Sequence, residues 1–76
     1  MKKYRVVAIS PIMDMEMNTI SPYEAIELYD QLKSKGFYNK VYVMDNETGE
    51  LYAHWDRVTE GGGVTTTEWF QMGGDL

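Results

Sequence analysis

With 76 residues, a net charge of -5 and no cysteine, the chain is expected to form a single domain, residues 1–76, without disulfides or thiolate metal sites. A domain of this length buries only about 60 to 65% of its unfolded surface, which leaves no room for a deep enclosed pocket. Seven basic against twelve acidic residues disfavour direct binding of nucleic acid, because phosphates repel carboxylates. No segment has the apolar length of a membrane span or the pattern of a signal peptide, so we expect a cytoplasmic protein without membrane contacts.

Residues 3–10, KYRVVAIS, predict a first and central strand that is buried on both faces. In the following segment, PIMDMEMNTI, methionines alternate with carboxylates at Met13, Met15 and Met17. We expect a connector that closes an open sheet face or adds to a docking surface, because unbranched methionine adapts to irregular surfaces. Thioethers on one side of an extended chain also suit Cu(I), but neither a cysteine nor a nearby histidine accompanies them. We therefore expect no metal and no cofactor.

Residues 21–36, SPYEAIELYDQLKSKG, have the start and stop signals of a helix. Ser21 can cap the first turn, and Glu24 completes a capping box with it. Gly36 provides the stop. One apolar stripe at helical spacing is expected to pack on a sheet, and it consists of Ala25, Leu28, Tyr29 and Leu32.

Residues 40–58, KVYVMDNETGELYAHWDRV, predict a β-hairpin whose turn fixes the register. If Gly49 is the left-handed residue of a bulged type I turn, Val43 faces Ala53 and Val41 faces Trp55. Because side chains alternate along a strand, the hairpin then has two different faces. The aliphatic face carries Val41, Val43, Leu51, Ala53 and Trp55, and the other face carries Tyr42, Met44, Tyr52 and His54.

The last part of the chain predicts a flexible connector at residues 60–64, EGGGV, and an edge strand over residues 64–71, VTTTEWFQ. The glycine run lacks the helix or lysine that a phosphate cradle needs. Residues 72–76 are expected to be a flexible tail.

This order of elements predicts an α+β fold, in which one helix packs on one face of a small, mostly antiparallel three- to four-stranded sheet with the order β-α-β-β-β. A single helix covers one face, so the aromatic hairpin face stays open unless Trp69, Phe70 or the methionine segment folds across it. Tyrosine, methionine and histidine are well suited to a docking surface. We expect that this face binds a partner or a second copy of the chain.

Catalysis is not expected. His54 and Asp56 lie on the same predicted face, which is the arrangement of a base and its orienting carboxylate. No serine, however, is set in the turn motif that presents a nucleophile.

We therefore expect a small, acidic, non-catalytic binding module whose partner is a larger protein with a basic surface. The most specific hypothesis is an inhibitor of a nucleic-acid-handling enzyme complex, of the kind that phages and mobile elements use against restriction or CRISPR systems. It would act by docking and charge mimicry. The alternative is a structural domain that forms a homodimer through its aromatic sheet face. The residues expected to contact the partner are Tyr42, Met44, Tyr52, His54, Met13, Met15, Met17, Glu24, Glu27 and Asp30.

Overall fold

The computed structural model describes residues 3–71, which form one helix and five strands. In chain order these elements are β1 (Tyr4–Ile9), β2 (Asp14–Thr19), α1 (Pro22–Ser34), β3 (Lys40–Asp45), β4 (Leu51–Glu60) and β5 (Gly63–Phe70). The predicted α+β class with one helix is confirmed. The sheet has five strands, because the expected methionine connector is itself strand β2. The predicted tail, residues 72–76, lies outside the described residues.

The strands form one sheet in the order β2-β1-β3-β4-β5, and every neighbouring pair is antiparallel. Strand β1 is internal, as predicted, but the middle position belongs to β3. Helix α1 lies on one face, over β1, β2 and β3. Within residues 3–71, the structure has no helix whose length and hydropathy would allow it to cross a bilayer.

The helix begins and ends where its signals predict. The hydroxyl of Ser21 accepts a hydrogen bond from the Glu24 backbone N–H at 3.3 Å, as expected of an N-cap. The N–H of Ser21 donates to the Thr19 hydroxyl at 3.2 Å, so Thr19 takes the part that the Glu24 side chain has in a complete capping box. At the other end, Gly36 has a φ of +70° and donates its N–H to the carbonyl of Lys33.

The core lies between α1 and the sheet. The helix contributes buried Ala25, Tyr29 and Leu32 and partly buried Leu28, which confirms the predicted stripe. The sheet residues beneath it are Tyr4, Val6, Ala8, Val41, Val43 and Ala53. These strand residues stand at every second position, so the opposite face of each strand points away from the helix.

The register of the β3–β4 hairpin is the predicted one over most of its length. Val43 lies opposite Ala53, and Val41 lies opposite Trp55. Gly49 has a φ of +79°, which confirms its left-handed conformation in the turn.

A second irregularity, between Val43 and Met44, moves two side chains to the faces opposite to those predicted. Met44 pairs with Leu51, so Tyr52 is the extra residue of a β-bulge. Tyr52 packs against the core, with its ring 5.6 Å from that of Tyr4. The expectation that Tyr52 belongs to the uncovered face is therefore wrong, and Leu51 lies there with Met44.

The displaced tyrosine helps to hold the turn. Its hydroxyl donates to the Asp45 carboxylate at 3.0 Å. The backbone N–H groups of Glu47 and Thr48 donate to the other carboxylate oxygen at 2.7 and 3.2 Å. The Glu47 N–H contributes most to lowering the pKa of Asp45, and the hydrogen bond to Asp45 raises the pKa of Tyr52 to about 12. The lowered pKa of Asp45 and the raised pKa of Tyr52 both indicate an ionised Asp45 that accepts hydrogen bonds from neutral donors.

Strands β4 and β5 form a hairpin that is longer than the rest of the sheet. Strand β3 pairs with β4 as far as Asp56, and the Arg57 N–H donates to the Asn39 carbonyl just before β3, so residues 58–60 and 63–65 project beyond the sheet. Gly61 and Gly62 have φ values of +58° and +84°, as in the two-residue turn that fits the twist of a hairpin. The predicted flexible connector at residues 60–64 is therefore wrong, because these glycines form a tight turn.

Candidate functional site

The sheet face opposite α1 carries one continuous row of side chains. Because residues that lie opposite each other in an antiparallel pair share a face, the register places one side chain from each strand in this row. From edge to edge it consists of Glu16, Val7, Tyr42, His54 and Trp69. We call it the cross-strand row, and the face that carries it the open sheet face.

The row is packed from side to side. The rings of His54 and Trp69 are stacked, with centroids 6.0 Å apart and planes inclined by 15°. Val7 is only 8% exposed although α1 lies on the other face, and it has Glu16 and Tyr42 as its neighbours across the strands. Trp69 remains 40% exposed. The row thus presents aromatic surface to solvent in an ordered arrangement.

Trp69 is a site residue that the sequence analysis placed in an edge strand and considered only as a residue that could fold across the aromatic face. Its two neighbours are anchored on the helix side. Phe70 packs edge-on against Tyr29, with ring centroids 5.7 Å apart. Glu68 accepts a hydrogen bond from the Tyr29 hydroxyl at 2.8 Å and forms an ion pair with Lys33. Since side chains alternate along β5, Trp69 must point to the open sheet face.

The anchor on the helix side is an electrostatic contact as well as an apolar one. Burial alone would raise the pKa of Glu68, but the hydrogen bonds from Lys33 and Tyr29 outweigh it and lower this pKa. Burial, followed by the hydrogen bond to Glu68, raises the pKa of Tyr29. The carboxylate therefore stays ionised between a cation and a neutral hydroxyl.

Charges of both signs surround the aromatic part of the row. The Arg5 Nε lies 3.6 Å from the Glu16 carboxylate. Lys40 lies opposite Asp56 in the sheet, and Asp14 is at the β2 edge. With Glu60 at the projecting end of β4, the open sheet face thus has four carboxylates and two cations among the described residues, and it is only weakly acidic.

The four hairpin residues predicted for this face divide between the two sides of the sheet. Tyr42, Met44 and His54 share the open sheet face, with Met44 opposite Arg5 on the neighbouring strand. Tyr52 is on the helix side, as described above. Three of the four hairpin residues are therefore brought together.

Met15 and Met17 of β2 lie on the helix side of the sheet, as does Met13 just before β2, whose carbonyl continues the pairing by accepting the Ser10 N–H. Met15 lies opposite Ala8 and packs against the core, and its sulfur is 3.7 Å from the Tyr38 hydroxyl, which donates to it. Met13 and Met17 are 49% and 40% exposed. The expectation that these methionines close or extend the open sheet face is wrong, because the pairing of β2 with β1 turns them towards the helix side.

The three predicted helix carboxylates, Glu24, Glu27 and Asp30, are exposed on α1. The helix and the cross-strand row are on opposite sides of the sheet, so these residues and the aromatic residues do not form one surface. Asp30 also lies 3.8 Å from the Nζ of Lys33. The predicted acidic rim is therefore separate from the open sheet face.

The structure also places the two residues that were considered for catalysis, and one surface depression. His54 stacks on Trp69, and Asp56 lies opposite Lys40 and Thr67. A depression of about 540 Å³ at the tip of the long hairpin is lined by Val58, Glu60, Gly61 and Thr65, and it is wide open to solvent. Within residues 3–71, no group of three or more histidine or carboxylate side chains is placed to hold a metal ion.

In comparisons with known proteins, no family model matches the chain, and neither a curated protein nor a solved structure matches it significantly. The functional interpretation therefore rests on the open sheet face itself.

Proposed function

We propose that the protein is a non-catalytic binding module that docks its open sheet face on a larger protein. One observation carries this proposal. The aromatic part of the cross-strand row, Tyr42, His54 and Trp69, lies on the sheet face away from the single helix of the described residues, and its outermost ring is 40% exposed. Tryptophan and tyrosine dominate the binding energy of protein interfaces, where large rings are buried with little loss of side-chain freedom.

The row is also ordered before binding. The His54–Trp69 stack and the side-to-side packing around Val7 hold the rings in place. A surface that is already ordered loses less conformational entropy when a partner covers it. The charges beside the row, among them Arg5 and Lys40, suit the polar rim that surrounds an apolar interface centre.

The partner class follows from charge. The net charge of -5 favours association with a basic protein, because opposite charges accelerate encounter and select the partner. Proteins that bind nucleic acid have such surfaces. Our more specific proposal is therefore an inhibitor of a nucleic-acid-handling enzyme complex, of the phage or mobile-element type that acts on restriction or CRISPR systems. The exposed carboxylates Glu24 and Glu27 would supply a second, acidic contact away from the row.

The experiment compares two tyrosines on opposite sides of the sheet. Tyr42 belongs to the cross-strand row, whereas Tyr23 is 73% exposed on α1. The tagged protein and its Tyr42→Ser and Tyr23→Ser variants are used to capture proteins from a bacterial lysate at low and high salt, and the captured proteins are identified by mass spectrometry.

We expect wild type and Tyr23→Ser to capture the same basic nucleic-acid-handling protein, more weakly at high salt. Removal of a central interface tyrosine costs about 2 kcal/mol, so Tyr42→Ser should weaken binding about 30-fold while the protein stays folded. Equal capture by both variants would contradict docking through the open sheet face. A captured partner without a basic surface would contradict only the partner class.

A homodimer that buries the row is the competing form of this proposal. It would also be weakened by Tyr42→Ser, but light scattering on purified wild type and Tyr42→Ser separates the two, because only a dimer that buries the row dissociates on this substitution. Such a dimer leaves the row covered and therefore unable to capture another protein.

A further inference from the structure

Strand β5 is an edge of the sheet formed by residues 3–71, and the register identifies the backbone groups that point to this free edge. Gln71 donates its N–H to the Tyr52 carbonyl at 2.7 Å. In an antiparallel pair, the residues that bond to the neighbouring strand alternate with residues that point away from it. The odd-numbered residues of β5 thus bond to β4. The N–H and C=O groups that point to the free edge belong to Val64, Thr66, Glu68 and Phe70.

Within residues 3–71, this edge has few of the features that normally prevent a strand from pairing with another chain. It has no lysine, proline, bulge or covering element from these residues, and its one inward-pointing charge is paired with Lys33. Strand β5 has eight residues and a single charged one, Glu68, whose carboxylate is held on the helix side by Tyr29 and Lys33. The opposite edge, β2, carries exposed Asp14 and Glu16. The two edges therefore differ, and β5 is the one suited to pairing.

We propose that β5 pairs antiparallel with β5 of a second copy of this chain, around a twofold axis that passes through Thr67. In this register Thr66 lies opposite the partner's Glu68, and Val64 lies opposite the partner's Phe70. Val64 and Phe70 are 63% and 51% exposed in the single chain, so each copy covers apolar surface of the other.

The neighbouring registers are less favourable. A shift that places Glu68 opposite the partner's Glu68 sets two carboxylates against each other. A shift that places Thr66 opposite the partner's Thr66 sets Val64 against the partner's Glu68. The registers between these would set even-numbered residues opposite odd-numbered residues of the partner. They are excluded because a twofold axis perpendicular to the sheet pairs residues whose side chains are on the same face.

The dimer has room for both helices. The backbone of α1 lies over β1, β2 and β3, and the helix reaches β5 through the Tyr29 and Lys33 side chains. In the joined sheet the two β3 strands are separated by five strand spacings, about 24 Å. A helix with its side chains is only about 10 to 12 Å wide. The overlap over residues 64–70 is about 23 Å long. It also gives the projecting end of each hairpin a neighbour, because residues 64–65 pair with the main sheet of the partner.

This inference is independent of the proposed function, since the edge and the open sheet face are different parts of the molecule. Its first test is sedimentation velocity over a range of concentrations on wild type, Thr66→Pro and Thr66→Ala. Proline removes only an N–H that points to the free edge, so β4–β5 pairing is retained, and alanine keeps that N–H.

We expect a dimer for wild type and Thr66→Ala, and at least about a tenfold weaker dimer for Thr66→Pro, because the proline also clashes with an approaching strand. Circular dichroism checks that Thr66→Pro is folded. A wild type that is monomeric at the highest attainable concentration overturns the proposal, and so does a folded Thr66→Pro variant that dimerises as wild type does.

A second pair of variants tests the register and does not depend on the proline. Thr67→Lys sets two like charges opposite each other at the proposed axis, although within one chain it lies opposite Asp56, which favours folding. Position 65 lies opposite the partner's Trp69 in the proposed register, so Thr65→Lys places no charge opposite a like charge. We expect Thr67→Lys to weaken the dimer up to about fivefold, less so at high salt, and Thr65→Lys to leave it unchanged. Equal effects of the two lysines overturn the Thr67 axis.

Discussion

The contact between Tyr29 and Glu68 gives a stability prediction that the geometry makes quantitative. The Tyr29 side chain is fully buried, and its hydroxyl donates to the Glu68 carboxylate at 2.8 Å. Tyr29→Phe removes this hydroxyl and keeps the ring that packs on Phe70. A hydrogen bond to a charged group contributes about 1.5 to 3 kcal/mol to stability when it is buried.

Two features reduce the expected loss. The Glu68 side chain keeps 32% of its accessible surface, so water screens the interaction. Lys33 also stays paired with Glu68, so the substitution leaves no isolated carboxylate. We therefore expect Tyr29→Phe to lower the free energy of unfolding by about 1 kcal/mol. For a domain of this size that corresponds to a decrease in Tm of about 4 to 8 °C.

Urea unfolding followed by circular dichroism measures this loss, at a protein concentration where the association state is known. Tyr23→Phe is the matched control, because the Tyr23 side chain is 73% exposed and should change stability by less than about 0.5 kcal/mol. Equal midpoints for the two variants would refute the reasoning that this hydroxyl holds β5 on the helix.

Two further predictions concern pH and the hairpin turn. The hydrogen bonds that Asp45 and Glu68 accept lower their pKa values, so their stabilisation is complete above the ordinary values of 3.8 and 4.5 and is lost as pH falls through the lowered ones. The urea midpoint should therefore fall in acid, less steeply in Glu68→Gln; the same slope in both proteins would contradict the role of Glu68. Gly49→Ala should lower the free energy of unfolding by about 1 kcal/mol, because φ is +79° at Gly49. Gly63→Ala, whose Cβ would meet only the Glu60 carbonyl at 3.7 Å, should cost less, and an equal loss in thermal melts would rule out the conformational explanation.

The elements that the sequence predicted correctly are those with local signals. Ser21 and Gly36 mark the ends of α1, and each acts through hydrogen bonds within a few residues of itself. Gly49 likewise has the predicted left-handed conformation in its turn, although the predicted register between Val43 and Ala53 also depends on the β-bulge at Tyr52. In both cases the residues that make the determining contacts are close together in sequence, so a single sequence is sufficient to predict the helix ends and the turn.

The errors concern contacts that are distant in sequence. The alternation of Met15 and Glu16 is typical of an extended chain with two faces, but only its pairing with β1 decides which face meets the core. The β-bulge that turns Tyr52 towards Tyr4 changes a face in the same way. Trp69 reaches the open sheet face because Glu68 and Phe70 are held by Tyr29, 39 residues away from Glu68 in the chain. In each case, the sheet face on which the side chain lies is determined by a contact with a residue distant in sequence, which local patterns do not reveal.

Strand β5 joins the two proposed interactions without making them compete. Its odd-numbered side chains point to the open sheet face, while the backbone groups at its free edge belong to even-numbered residues. A protein on the face and a second copy at the edge therefore contact different atoms of the same strand. Pairing across Thr67 would place two cross-strand rows on one side of a ten-stranded sheet, with their Trp69 rings about 14 Å apart. Two equal sites on one rigid sheet would bind a partner with repeated surfaces much more tightly than one site does, with no additional contact in either row.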